Sequence, residues 1–296
     1  MEKIGILRAL RKIKKVSDRT HITKIPVVQR WISNAKNSWF EGLDEELSEA
    51  QSVELDGIRI LLPRRFIPHY LQHEYEPITR KTFSESLTPG MVVFDVGAHI
   101  GYYALLAAQL VGPGGRVHAV EPSVRTVGFL DASIRLNQFE NIEVHCCAAG
   151  KVRALREFHI TGSSDSNGFY DHPNTGTLRK VEVQQIPLDE LVADGRVDAV
   201  KIDVEGAEIE VLEGMQGILR KNKRLQLWAE WFPAGMERGG RAPLDLPRRI
   251  AELGFQEMSV IDDVEKTIKS VGEVSALVSS GRLPRHWYAN IWAKRS

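Results

Sequence analysis

Hydrophobic positions between residues 92 and 230 fall into short apolar runs separated by stretches of helical period. The runs are Val92 to Val96, Arg116 to Glu121, Ile142 to Cys146, Asp198 to Asp203 and Leu225 to Glu230. Buried strands alternating with helices predict right-handed βαβ units and a parallel sheet covered on both faces, a doubly wound α/β domain. Two alternating runs, Leu155 to Ile160 and Val181 to Ile186, interrupt that rhythm around the polar stretch Thr161 to Gly176. A loop of that length in a compact domain is usually functional or mobile. After the fourth run, Val211, Leu212, Met215, Ile218 and Leu219 predict the apolar face of one helix. Upstream, Val53, Leu55, Ile58 and Ile60 alternate around Asp56-Gly57, a dipeptide suited to a tight hairpin. Leu71, Tyr75 and Ile78 then predict an amphipathic helix closed by Pro89-Gly90.

Composition adds limits. The 296 residues are 43% hydrophobic and 26% charged, ordinary for a globular chain, which excludes disordered, collagenous and disulfide-scaffold classes. Adjacent Cys146 and Cys147 cannot cross-link distant segments, which fits a reducing, cytoplasmic setting. No apolar stretch reaches the roughly 20 residues of a membrane span. The net charge is zero, yet residues 1–40 hold ten basic residues against Glu2 and Asp18, so +8 there is balanced by −8 elsewhere. Residues 4–16 space Ile6, Leu10 and Ile13 as a basic amphipathic helix. It reads either as a solvated cap helix or as a surface for an acidic partner, a second subunit or weak contact with an anionic membrane.

In doubly wound sheets, ligands bind beyond the carboxyl ends of the strands. The first strand ends in Asp95-Val96-Gly97-Ala98-His99-Ile100-Gly101, followed by an apolar helix from Tyr102. Gly97 permits a sharp turn and close approach of a ligand, and Gly101 permits close helix packing on the strand. This is not a G-x-G-x-x-G dinucleotide fingerprint, and Asp95 disfavours phosphate while suiting a cationic ammonium or sulfonium. The second strand ends in Glu121-Pro122, where a carboxylate can accept hydrogen bonds from both hydroxyls of a ribose. The fourth ends in Lys201-Ile202-Asp203-Val204-Glu205-Gly206-Ala207-Glu208, which places Asp203 beside that ligand. Glu205, near a helix N-terminus, reads as an anchor rather than a base.

The segments VVFDVGAHIGYYALLAAQLVGPGGRVHAVEPS, NIEVHCCAAG, PLDEL and VDAVKIDVEGAEIEVLEGM, in that order, resemble the FkbM family of S-adenosylmethionine-dependent methyltransferases. The resemblance covers about residues 90 to 260. It implies a class I methyltransferase (Rossmann-like) fold, a seven-stranded mostly parallel sheet with helices on both faces and an antiparallel last strand. Phe255 to Ile261 and Tyr288 to Ala293 suit the two C-terminal strands, and residues 1–88 form an N-terminal helical and hairpin extension to a domain spanning 89–296. It further implies that Asp95 and Gly97 bind the methionine end of S-adenosylmethionine, and Ala98, Gly101 and Tyr102 beside them are candidate cofactor-binding residues. Glu121 then meets the ribose and the backbone near Cys147 and Ala148 the adenine, and Pro122 and Asp203 are further candidate cofactor-binding residues. FkbM relatives are mostly O-methyltransferases acting on sugars and other natural products, which makes methylation of a small-molecule or carbohydrate-containing hydroxyl the expected function.

Methyl transfer to a hydroxyl needs an in-line oxygen and removal of its proton. Asp203, Glu230 and His99 are the candidate bases. If Asp203 and Glu230 converge they suit Mg²⁺ as well, but no third ligand emerges, so no metal is predicted. His118, His145, His159 and His172 show no metal-site spacing. The loop Gly162 to Tyr170 offers hydroxyls, amides and aromatics to a polyhydroxylated acceptor, and Trp231 to Pro243 is placed to close over the site. The basic residues of the predicted domain form no stripe with aromatics, so nucleic acid is not the expected acceptor. An N- or carboxyl-methyltransferase, or a protein that binds S-adenosylmethionine without catalysis, remain the alternatives on the same scaffold.

Overall fold

The computed structural model describes residues 47, 49–72, 75–162, 164–170, 176–192 and 195–295. The basic segment 4–16 and residues 163, 171–175 of the long polar loop lie outside the described residues. Strands β1 (Gln51–Leu55) and β2 (Ile58–Leu62) pair antiparallel, with Leu55 opposite Ile58. Asp56 (φ 48°) and Gly57 (φ 78°) form the turn between them, both left-handed as a two-residue hairpin turn of this hand requires.

The helix expected around Leu71 to Ile78 is two helices, α1 (Ile67–Gln72) and α2 (Pro77–Ser86). Proline accounts for the break. Pro77 has no N–H to give the preceding turn and drives residue 76 out of the right-handed helical region, and Glu76 takes up φ 41°.

The main sheet uses β3 (Val92–Val96), β4 (Arg116–Val120), β5 (Ile142–His145), β9 (Ala199–Ile202), β10 (Gln226–Trp231), β11 (Glu257–Asp262), β12 (Thr267–Ser270) and β13 (Ala289–Lys294). Their spatial order is β12-β11-β13-β10-β9-β3-β4-β5. β3, β4, β5, β9 and β10 run parallel, and β13 lies antiparallel between β10 and β11. That is the class I methyltransferase arrangement, including the reversed last strand. An eighth strand, β12, adds to the expected seven because the chain after Asp262 turns back tightly, with Lys266 at φ 51°, and pairs with β11. Strands β6 (Ala148–Ala149), β7 (Ala154–Thr161) and β8 (Thr177–Ile186) form a separate small sheet in the order β6-β8-β7.

Helices α3 (Tyr102–Val111) and α4 (Val124–Asn137) follow β3 and β4. The single helix expected to carry Val211, Leu212, Met215, Ile218 and Leu219 is broken into α5 (Glu208–Glu213) and α6 (Gln216–Lys221). A tertiary cap explains the break: Asp189 accepts hydrogen bonds from the Gly217 and Ile218 amides at 2.7 and 2.8 Å, which starts a new helix there. Helices α7 (Pro233–Arg238), α8 (Asp245–Glu252) and α9 (Val271–Ser279) complete the chain. One core joins the hairpin residues Ile58, Ile60 and Leu62 and Phe83 of α2 to α3 and the facing side of the sheet. The other packs α5, α6 and α8 on the opposite face. No helix among the described residues is long and apolar enough to cross a membrane.

Candidate functional site

The carboxyl ends of β3, β4 and β9 open onto one cleft of about 870 Å³, measured out to its mouth. Asp95, Gly97, Ala98, His99, Tyr102, Glu121, Pro122, Ala148 and Asp203 line it, most of the residues predicted to meet a cofactor. Gly101 and Cys147 stand behind this lining. A Cβ at Gly101 would lie 2.2 Å from Leu130 Cδ1, so this glycine lets α3 close against α4 rather than against the strand. Cys147 packs in the core with Val120 and Ile186.

Asp95 is 2% exposed, and its Oδ2 has no hydrogen-bond partner. Burial pushes its carboxyl up to about 7, against the pull of Lys201. Glu121 is held in place by the chain itself. Its Oε2 accepts from the His99 amide at 2.9 Å and its Oε1 from the Ser123 amide at 2.8 Å, tying the loop after β3 to the end of β4. Burial raises the Glu121 pKa. The geometry needs His99 at φ 49°, and its Nε2 lies 2.8 Å from Ser164 Oγ in the loop after β7. Cys146 Sγ sits 4.0 Å from the Pro122 carbonyl oxygen, and burial pushes its thiol up to about 12, so it is no thiolate at neutral pH.

Lys201 is the residue that strand-end reasoning missed. It is 2% exposed, and its Nζ donates to Asp203 Oδ2 at 2.8 Å beneath the Tyr103 ring. Burial opposes its charge, but Asp203, Glu76 and Asp95 hold it protonated, above its ordinary pKa. A lysine inside the otherwise apolar strand Ala199–Ile202 was the available signal, because buried cations are kept only where acids pair with them. Tyr70 and Tyr75 also line the cleft, although they precede the predicted domain. Nothing in their spacing foretold this, since tertiary packing alone brings them there.

The loop after β9 divides its acids differently from expectation. Glu208, fully buried, accepts from the Val204 and Gly206 amides at 3.2 and 3.0 Å and is the anchor. Burial pushes its pKa up to about 7. Glu205, at φ 57°, instead lines the cleft with Asp203, and the carboxylate oxygens of Asp203, Glu205 and Glu230 all lie within 4.8 Å of one another, although Glu230, a candidate base, is buried behind the lining. Glu230 is raised well above the usual carboxylate range, first by burial and then by Asp203, Glu205 and Glu208.

Ser164, Asn167 and Phe169 bring the polar loop into the cleft wall, with the Asn167 side chain accepting from the Thr161 amide at 2.9 Å. The segment after β10 is pinned by Trp231, whose indole donates to the Pro243 carbonyl at 2.7 Å. On the far edge of the sheet the structure brings His118 and His145 together, Nδ1 to Nε2 at 3.0 Å, with Glu143 beside them, a grouping that no spacing along the chain revealed.

The methyltransferase FkbM domain family matches residues 95–257, more than half of the chain. The chain belongs to the FkbM methyltransferase family. Among curated relatives, it is 30% identical over 179 residues to the 31-O-demethyl-FK506 methyltransferase FkbM of Streptomyces tacrolimicus, covering 50% of this chain and 64% of that one. It is 32% identical over 139 residues to the hexuronic acid methyltransferase AglP of Haloferax volcanii, covering 44% of this chain and 52% of that one. The chain thus spans between half and two thirds of the length of these relatives. Among solved structures, the methyltransferase FkbM of Methylobacillus flagellatus is similar at 15% identity and TM-score 0.44, over 86% of this chain and 58% of that one. M. jannaschii TYW2 in complex with AdoMet is similar at 15% identity and TM-score 0.46, over 84% and 87%.

Proposed function

We propose that this FkbM-family chain transfers the methyl group of S-adenosylmethionine to a hydroxyl of a small-molecule, sugar or glycosylated substrate. The observation that carries this reading is the convergence of three strand-end acids, Asp95, Glu121 and Asp203, on one cleft. Asp95 suits the cationic methionine end of the cofactor. Glu121 accepts the His99 and Ser123 amides and the Thr126 hydroxyl and faces the cleft, where a ribose hydroxyl can reach it. Ala148, clustered with Phe158 and Phe169, offers an apolar wall for the adenine. Residues 89–296 act as the cofactor-binding domain, and Tyr70 and Tyr75 of the 1–88 extension complete the cleft.

For transfer, a lone pair of the acceptor oxygen attacks the methyl carbon from about 3 Å, opposite the sulfur. The C–O bond forms as the S–CH₃ bond breaks, and the electron pair returns to sulfur as the neutral thioether of S-adenosylhomocysteine. The hydroxyl proton leaves toward the polar side of the cleft, where Asp203 and His99 are placed to accept it, whereas Glu230 stands behind the lining with its carboxyl raised well above the usual range by burial. The curated relative named for 31-O-demethyl-FK506 supports an oxygen acceptor, and the one named for hexuronic acid supports a sugar-derived substrate, which offers a carboxyl as well as hydroxyls.

The test incubates the protein with S-adenosylmethionine and separate panels of sugars and macrolide alcohols, amines and carboxylic acids, followed by mass spectrometry. The expected product gains one methylene on a hydroxyl. Transfer confined to an amine or a carboxylate overturns the O-specific reading, and cofactor binding without transfer to any panel overturns the catalytic one.

A further inference from the structure

Asp203, Glu205 and Glu230 crowd three carboxylates within 4.8 Å at the ends of β9 and β10. Like charges that close repel, and Lys201, bonded to Asp203, offsets part of that charge. Two further observations mark this as more than a solvated acidic patch. Glu230 is 8% exposed, and its Oε2 has no hydrogen-bond partner. Asn290 stands directly opposite Glu230 in the antiparallel β10–β13 ladder, is 1% exposed, and its Oδ1 also has no partner. Directly opposed residues share a face of the sheet, with Cβ atoms about 4.5–5.5 Å apart, so Asn290 shares the face that carries Glu230. Buried polar atoms are nearly always satisfied, so an open oxygen on Glu230 itself and another on Asn290 opposite it indicate a missing electropositive ligand.

We propose that Asp203, Glu205 and Glu230 bind a hard divalent cation, Mg²⁺ or Mn²⁺, at the acceptor end of the cleft. All three donors are oxygens with no sulfur or imidazole among them, the chemistry that selects hard cations over zinc or copper. Asp203 and Glu205 also line the cleft, so a cation held there keeps positions open to a ligand. This proposal rests on the methyltransferase reading and gives it a means of activating an alcohol. A bound cation lowers the pKa of a coordinated hydroxyl, whose proton passes to water at the cleft mouth while its oxygen takes the methyl group.

The experiment titrates Mn²⁺ into chelator-treated full-length protein, with and without S-adenosylhomocysteine, following free Mn²⁺ by electron paramagnetic resonance. Wild type is expected to take up one Mn²⁺ that Mg²⁺ displaces. Glu230→Gln and Glu205→Gln are each expected to weaken uptake roughly tenfold or more while calorimetry shows S-adenosylhomocysteine binding retained. Absence of stoichiometric uptake, or uptake unchanged in both variants, overturns the proposal. Failure of S-adenosylhomocysteine to bind wild type overturns the methyltransferase reading instead.

Discussion

Gly97 runs so close to Asp203 that a Cβ built at position 97 would lie 1.7 Å from the Asp203 carbonyl oxygen. The glycine of the loop after β3 therefore serves the junction of two strand ends, as well as the φ of 83° that the turn demands. Gly97→Ala is expected to push the 203–205 loop out of place and to impose left-handed strain of about 1–2 kcal/mol besides. Calorimetry should show S-adenosylhomocysteine binding lost, with a lowered melting temperature. Native affinity in this variant would mean that the Asp203 loop does not shape the cofactor site.

Glu121 has a double duty, since it fixes the His99 amide and faces the cleft. Glu121→Ala should cost about 1–3 kcal/mol of cofactor affinity, and Glu121→Gln less, because the amide oxygen still accepts one backbone N–H. The dissociation constants of both variants for S-adenosylhomocysteine check this ordering.

Lys201 neutralises a buried acidic neighbourhood of Asp203, Glu76 and Asp95. Lys201→Met keeps the volume and removes the charge, leaving those carboxylates uncompensated. The expected loss is about 3–5 kcal/mol of unfolding free energy, read from urea denaturation. A variant as stable as wild type would show that the acids do not depend on this cation.

These same elements show what the sequence could and could not reveal. Asp95, Glu121 and Asp203 were legible because each ends an apolar run, and strand ends are where this topology gathers ligands. The mostly parallel sheet followed from the alternation and its antiparallel last strand from the resemblance, and both C-terminal strands lie within a few residues of expectation. Tyr70, Tyr75 and the Glu205–Glu230 approach were not legible, because each depends on distant segments folding together. Pro77 and the Asp189 cap broke two helices whose apolar period alone read as continuous. The first break had a local signal in proline, whereas the second lay 25 or more residues away in Asp189.

Asp95 and Glu208 ionise at about 7 in the folded chain, and at about 4 when unfolded. Between those values the folded state holds protons that the unfolded state has released, so stability falls as pH rises from about 4 to about 7. Melting temperatures across that range should decline in wild type and decline less in Glu208→Gln. Where the cofactor's ammonium sits on ionised Asp95, affinity for S-adenosylhomocysteine should rise through pH 7, a rise that Asp95→Asn removes.

The most direct measurement is a calorimetric titration of S-adenosylhomocysteine into the full-length protein at neutral pH, in wild type and Glu121→Ala side by side. Saturable one-to-one binding by wild type, weakened in the variant, is the predicted result. No binding by wild type, or equal binding by both, would contradict a cofactor cleft built on the strand-end acids.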